Sequence, residues 1–165
     1  MVVKGKVWKF GDDVNTDVIY PGKFLPITDP EEMAKHCFEY VYPDFVKKAK
    51  PGDIIVAGKY FGCGSSREQA ATCLRHFGIG AVIAESFARI YYRNAINQGL
   101  PILVCPGISK RVDEGDELEV HLEEGRVINL TKGEEYTAEP LPGFVLEIIS
   151  AGGLVPYLKG RLKNA

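Results

Sequence analysis

Asp53-Ile-Ile-Val-Ala-Gly58, Ala81-Val-Ile-Ala84 and Leu100-Pro-Ile-Leu-Val104 are three short apolar runs separated by two segments of helical periodicity. A run of four to six apolar residues bounded by turn residues reads as a strand buried on both faces. Pro51-Gly52 supplies the turn before the first run. Ser65 to Phe77 then places Ala70, Ala71, Leu74 and Phe77 on one helical face, with Gly78 at the C′ position. Phe87 to Gln98 carries Ile90, Tyr91, Asn94 and Ala95 at helical spacing and is stopped by Gly99. Two successive β–α–β units predict an α/β fold with a mainly parallel sheet and right-handed crossovers.

The flanks read differently. Val2 to Phe10 is a short strand, and Glu117-Leu-Glu-Val-His-Leu122 alternates polar and apolar residues as a half-buried strand does. Glu124-Gly125 and Lys132-Gly133 are turn dipeptides, which makes Arg126 to Thr131 and Tyr136 to Ala138 hairpin partners. Leu146 to Ser150 and Leu154 to Lys163 read as short closing helices around Gly152-Gly153. With no repeat, linker or low-complexity segment, residues 1–165 are expected to form one domain.

Hydrophobic residues make up 45% of the chain and charged residues 25%, with a formal net charge of -2. No basic face or tail is present to attract nucleic acid or a membrane surface. No apolar stretch approaches the roughly 18 residues that cross a bilayer, and the N-terminal segment lacks a small-residue cleavage site. A cytoplasmic protein is expected. The four cysteines, Cys37, Cys63, Cys73 and Cys105, form no C-x-x-C pair, so they read as free thiols packed as small hydrophobes rather than as metal ligands.

The stretch richest in chemistry is Tyr60-Phe-Gly-Cys-Gly-Ser-Ser-Arg-Glu68, between a buried strand and a helix. Ligands of open α/β sheets bind beyond the carboxyl ends of the strands. Gly62 and Gly64 let the backbone approach a ligand closely, Arg67 adds a planar fork of donors suited to a carboxylate, and a helix N-terminus offers unpaired N–H groups. Together they form a candidate anion site. A structural reading competes, because Ser65-x-x-Glu68 has the spacing of a capping box. One serine can cap while the other faces a ligand.

The longer pattern is more specific. Phe61-Gly-Cys-Gly-Ser-Ser-Arg-Glu68, Ile83-Ala-Glu-Ser-Phe-Ala-Arg-Ile90 and Arg93-Asn-Ala-Ile-Asn-Gln-Gly-Leu-Pro101 follow in order. Gly11-Asp-Asp-Val-Asn-Thr-Asp-Val-Ile19 precedes them and Ala151-Gly-Gly-Leu-Val-Pro-Tyr-Leu158 closes the chain. This set resembles the small subunits of the aconitase superfamily, above all the archaeal-type 3-isopropylmalate dehydratase and homoaconitase small subunits.

The resemblance implies a swivelling β/β/α domain and a hydro-lyase that is active only with a large subunit. It implies that the large subunit holds a [4Fe–4S] cluster, that this chain binds no cofactor or metal, and that the substrate is a small hydroxy-acid. By the same resemblance Ser65 is the catalytic base, the cluster iron acts as Lewis acid on the leaving hydroxyl, and Ser66, Arg67, Thr16 and Asp17 bind substrate. For Thr16 and Asp17 an Asx-type turn is the competing reading. The loop aligned with the family's specificity element is Tyr20-Pro-Gly-Lys-Phe-Leu-Pro-Ile-Thr28. Homoaconitase-like members carry an arginine there, whereas Phe24, Leu25, Pro26 and Ile27 are apolar and favour an isopropyl group. Pro26 departs from the usual isopropylmalate pattern and keeps dimethylmalate open, as Lys23 keeps a further carboxylate open.

His76 near a helix end is expected to be structural, and His36 and His121 to lie on the surface. Arg89 and Arg93 are read as anchors of their helix or of a partner interface, and Cys63 as a small, replaceable residue. A non-enzymatic module binding phosphate at Gly62 to Arg67 is the competing class; it would leave the early and late motifs without a role.

Overall fold

The computed structural model describes residues 1–163. In chain order the elements are β1 (Val2–Lys9), α1 (Thr16–Ile19), α2 (Pro30–Met33), α3 (Phe45–Lys48), β2 (Ile54–Ala57), α4 (Gln69–Phe77), β3 (Ala81–Ala84), α5 (Arg89–Asn97) and β4 (Ile102–Val104). They continue with β5 (Glu117–His121), β6 (Arg126–Asn129), β7 (Glu134–Thr137), α6 (Gly143–Ser150) and α7 (Leu154–Lys163).

The described strands form one seven-stranded sheet in the order β4-β3-β2-β1-β5-β6-β7. β2 and β3 are buried along their whole length, as their uninterrupted apolar runs require. The β-α-β units of the sequence reading appear as β2-α4-β3 and β3-α5-β4, with parallel pairing throughout. The hairpins β5-β6-β7 are antiparallel. β1 is the shared strand. Its first half pairs antiparallel with β5, and Val7 to Lys9 pair parallel with Ile54 to Val56. Parallel and antiparallel halves are therefore equal, three pairings each, within one continuous sheet.

An aromatic cluster seals the side of β1 and β2 that faces α3. Phe45 packs edge-on to Trp8 at 5.3 Å and to Phe38 at 5.0 Å, and Phe10 stacks on Phe38 at 4.3 Å. Asp53, just ahead of β2, accepts from Trp8 Nε1 at 2.9 Å and from the backbone N–H of Lys50 at 2.9 Å. That pairing is what allows a carboxylate to sit in a nearly buried position.

Several boundaries move from the sequence reading, among them the starts of α4, β4 and α6. α4 starts at Gln69, not Ser65. Glu68 occupies the N-cap with no side-chain cap bond, so the Ser65-x-x-Glu68 box does not form. The reason is tertiary: the Ser65 carbonyl is held in a bend outside the helix by the Thr16 hydroxyl. β4 starts at Ile102, because Pro101 has no N–H to give to the ladder, though its carbonyl accepts from Val82. α6 starts at Gly143, three residues before Leu146. α7 spans Leu154–Lys163 as read. Among the described residues, no helix is long and apolar enough to cross a membrane.

Gly5 sits where β1 crosses the turn before β2. A Cβ there would lie 2.1 Å from the Gly52 carbonyl oxygen, a backbone atom that cannot swing away. Gly5→Ala should therefore destabilise the fold by about 2 kcal/mol. Urea unfolding should show a lower midpoint with an unchanged slope; an unchanged midpoint would mean that the turn relaxes freely.

Candidate active site

The site lies beyond the carboxyl ends of β1, β2 and β3, where the sheet is continued by three loops side by side. Asn15 bridges to Cys63, and Phe61 bridges to Phe87, both in parallel sense. Gly62 N–H donates to Val14 O at 2.7 Å, Thr16 N–H to Cys63 O at 2.9 Å, and Ala88 N–H to Phe61 O at 2.9 Å. The loop bearing the two serines is thus clamped on both edges by the other two motifs singled out in the sequence.

Glycine is needed at position 62 for two reasons. Its φ is +85°, and a Cβ would fall 2.1 Å from Cγ of Tyr91. Tyr91 is fully buried and donates its hydroxyl to Ala70 O at 3.0 Å, tying α5 to α4 directly beneath the loop. Gly64, at φ +92°, turns the chain outward. Ser65 and Ser66 emerge exposed. Among the described residues neither hydroxyl has a hydrogen-bond partner, and the backbone N–H groups of Gly64, Ser65 and Ser66 have no acceptor. The carbonyl of Ser65 is held twice, by the Thr16 hydroxyl at 2.8 Å and by Arg67 N–H at 2.9 Å.

Arg67 is half-buried and already engaged. Its Nη1 donates to Asp17 Oδ1 at 2.7 Å and to Tyr20 O at 3.3 Å. Asp17 also accepts from Gly22 N–H at 2.8 Å. The Arg67 guanidinium, followed by the Gly22 amide, holds the Asp17 carboxyl below its ordinary value of 3.8. Asn15 caps α1 through its side chain, accepting from Val18 N–H at 3.0 Å. The turn reading and the site reading of the Asn15-Thr16-Asp17 motif therefore coexist.

A cleft of about 270 Å³ opens over the loop. Thr16, Ser65, Ser66 and Arg67 line it, as the sequence predicted; Asp17 does not, and acts behind Arg67. The structure also brings in Tyr60, Arg89, Ile90 and Asn94, which sequence reasoning did not place in the site. The helical spacing of Ile90, Tyr91 and Asn94 was the available signal, since it fixed one face of α5 without saying what that face meets. Tyr60 is unusual in standing at φ +60° with an exposed ring, its N–H held by Ser86 Oγ at 2.8 Å. A larger groove of about 600 Å³ lies at the opposite end of β2, beside Asp53 and Trp8. It contains none of the serine–arginine loop, so size alone does not locate the chemistry.

Phe24, Leu25, Pro26 and Ile27, expected to set specificity, are not in the cleft wall of this chain. Phe24 stacks on His36 with centroids 3.7 Å apart, Leu25 and Ile27 pack partly against the core, and Pro26 is exposed. The loop joins the site through Gly22, beside the Arg67 guanidinium. Lys23 lies over the rings of Phe24 and Tyr40, at 5.0 and 5.5 Å. The histidines pair with carboxylates: His36 with Glu39, His76 with Glu31 and His121 with Glu119. His36 and His121 are half-buried rather than fully on the surface.

Cys37, Cys73 and Cys105 are buried and Cys63 half-buried, all as free thiols. Burial, and after it the Asp13 charge, raises the Cys63 pKa, which holds that residue as a thiol. Among the described residues no three His, Cys, Asp or Glu side chains are grouped to hold a metal ion. The donor set of this chain therefore does not fit an iron–sulfur cluster of its own.

The Aconitase C-terminal domain family model matches residues 28–106. The isopropylmalate/citramalate isomerase small subunit of Methanocaldococcus jannaschii is 59% identical, over 99% of this chain and 98% of that protein. The 3-isopropylmalate dehydratase small subunit 1 of Methanopyrus kandleri is 54% identical, over 96% and 93%. This chain belongs to the 3-isopropylmalate dehydratase small-subunit family. Among solved structures, the crystal structure of a 3-isopropylmalate dehydratase (leuD) from M. jannaschii superposes with a TM-score of 0.92 at 49% identity, over 98% of this chain and 95% of that one. The mixed α/β fold with its curled sheet is the fold of that subunit. Thr16, Asp17 and residues 24–27 lie outside the segment matched by the family model, yet inside the full-length similarity.

The Asp17–Arg67 pair makes a pH prediction. A carboxyl whose pKa is lower in the folded state adds stability that is complete above its ordinary value and lost as pH falls through the lowered one. Asp17→Asn should be less stable than the parent at neutral pH, and the gap should close below about pH 3.8. The Asp17 side chain is 55% exposed, so added salt should also narrow the gap. Denaturant midpoints against pH check this; a gap constant in pH and salt would assign Asp17 a role other than its charge.

Proposed function

We propose that this chain is the small subunit of a 3-isopropylmalate dehydratase, a hydro-lyase of leucine biosynthesis. The enzyme would interconvert 2-isopropylmalate and 3-isopropylmalate by removing water and adding it back at the neighbouring carbon. One observation carries the reading: Ser65 presents an uncommitted hydroxyl in an open cleft that it shares with the Arg67 guanidinium. A cytoplasmic location goes with this reading.

Ser65 is the proposed base. It takes the proton from the carbon next to a carboxylate as the hydroxyl leaves the adjacent carbon and a double bond forms; rehydration reverses these transfers. A serine hydroxyl is too weak a base unless its oxyanion is stabilised. The free N–H groups of residues 64–66 and the cation of Arg67 supply that stabilisation without reorganising, because Thr16 and Asp17 already fix both groups. Arg67 uses one nitrogen on Asp17 and Tyr20, and its remaining donors can take a substrate carboxylate. Ser66 completes the carboxylate contacts. A [4Fe–4S] cluster in a larger partner subunit would supply the Lewis acid for the departing hydroxyl.

The loop of Phe24, Leu25, Pro26 and Ile27 is proposed to set the substrate by facing the same space once the partner closes over it. Lys23, its one cation, is exposed and lies over the rings of Phe24 and Tyr40, so a third carboxylate buried against residues 24–27 would meet only apolar side chains. This disfavours homoaconitate, and dimethylmalate is the closer competitor.

Two measurements test the proposal on the reconstituted two-subunit enzyme. Ser65→Ala should lower kcat by at least about 100-fold, whereas near-normal turnover would remove the base assignment. In a panel of acids, isopropylmalate should exceed citramalate in kcat/KM by roughly 15-fold, for two further buried carbons at about 0.8 kcal/mol each. A preference for the tricarboxylate would overturn the loop argument.

A further inference from the structure

Arg67 and Arg89 are the two charged side chains that line the cleft, and no carboxylate lines it with them. Their situations differ. Arg67 is bound to Asp17 and Tyr20, while Arg89, among the described residues, makes no ion pair and no side-chain hydrogen bond. It is exposed, and its position is unfavourable for the helix that carries it. Arg89 is the first residue of α5, whose first turn holds no acidic residue. A cation there faces the positive end of the helix dipole. Nothing in the packing of α5 calls for a guanidinium at this place: Tyr91, Ala95 and Ile96 are its buried residues.

We propose that Arg89 is the second carboxylate anchor of the site, so that the cleft holds a dicarboxylate between two guanidinium groups. This rests on the hydro-lyase reading and deepens it. Arg67 takes the carboxylate next to the carbon that loses its proton, beside Ser65, and Arg89 takes the other. Each guanidinium keeps free donors for one carboxylate, Arg67 beside its Asp17 partner and Arg89 with its whole fork, so the cleft offers two carboxylate positions. A monoanion leaves the Arg89 fork unused, and a trianion leaves one carboxylate without a guanidinium.

The test uses the reconstituted enzyme with Arg89→Gln and Arg89→Lys, reading kcat, KM, the affinity between subunits and the Tm of this chain. Arg89→Gln should raise KM for isopropylmalate by about 10- to 100-fold, the loss expected for a charge-assisted hydrogen bond. Affinity for the partner should stay unchanged, and Tm should hold or rise, because a cation has left the positive end of a helix. Arg89→Lys should recover part of the KM, since it keeps the charge and loses the fork. An unchanged KM overturns the proposal, as does a loss confined to subunit affinity that disappears once the partner saturates; either would return Arg89 to the interface. If the wild-type complex isomerises none of the acids, the hydro-lyase reading itself fails and the anchor falls with it. A normal wild type beside a normal Arg89→Gln sinks the anchor alone.

Discussion

Three hydrogen bonds to one short segment hold the loop of Ser65 open over the cleft: Gly62 N–H to Val14 O, Thr16 N–H to Cys63 O, and the Thr16 hydroxyl to Ser65 O. Without them the serine–arginine stretch would be free to follow its own local preference, which is to wind into the first turn of α4 and cap it. The clamp denies it that option. The serines stay outside the helix and exposed, their hydroxyls and N–H groups are not consumed by helix geometry, and α4 begins only at Gln69. Thr16 can do this because it is buried and its hydroxyl donates to the Ser65 carbonyl.

The same arrangement explains how the site keeps its charge in order. Arg67 is immobilised by Asp17 and by a main-chain oxygen, so its guanidinium is oriented before any ligand arrives. Pre-orientation removes an entropic cost from binding, at the expense of part of the cation's strength, which the carboxylate answers. Arg89 shows the opposite compromise. It keeps its full charge and all its donors and has no partner among the described residues to fix it. One guanidinium held and one left open is the arrangement that the proposed binding of a substrate between them calls for.

The fold was legible wherever one apolar run or one period decided the matter. The buried strands β2 and β3, the hairpins at Gly125 and Gly133, and the glycine stops at Gly78 and Gly99 follow from residue type alone. Less legible was the double role of β1, because a strand's residues say nothing about switching from an antiparallel neighbour to a parallel one halfway along. Within the site, the serines, Arg67 and Thr16 were assigned from their motifs; Tyr60, Ile90 and Asn94 stood in the same motifs but were not assigned to the cleft. Their place in the cleft depends on which face of α5 meets the loop, and Tyr91 decides that by packing beneath Gly62.

By itself the sequence determined the parallel α/β core, the residue types of an anion-binding loop and the apolar character of the loop at residues 24–27. Those are matters of composition and period, which a chain carries into any environment. The tertiary structure alone decided that the Ser65 box does not cap, that Asp17 stands behind Arg67 rather than in the cleft, and that residues 24–27 stay out of the cleft wall. Each of these outcomes is a competition between a local partner and a distant one, and the winner is fixed by what folding brings within about 3 Å.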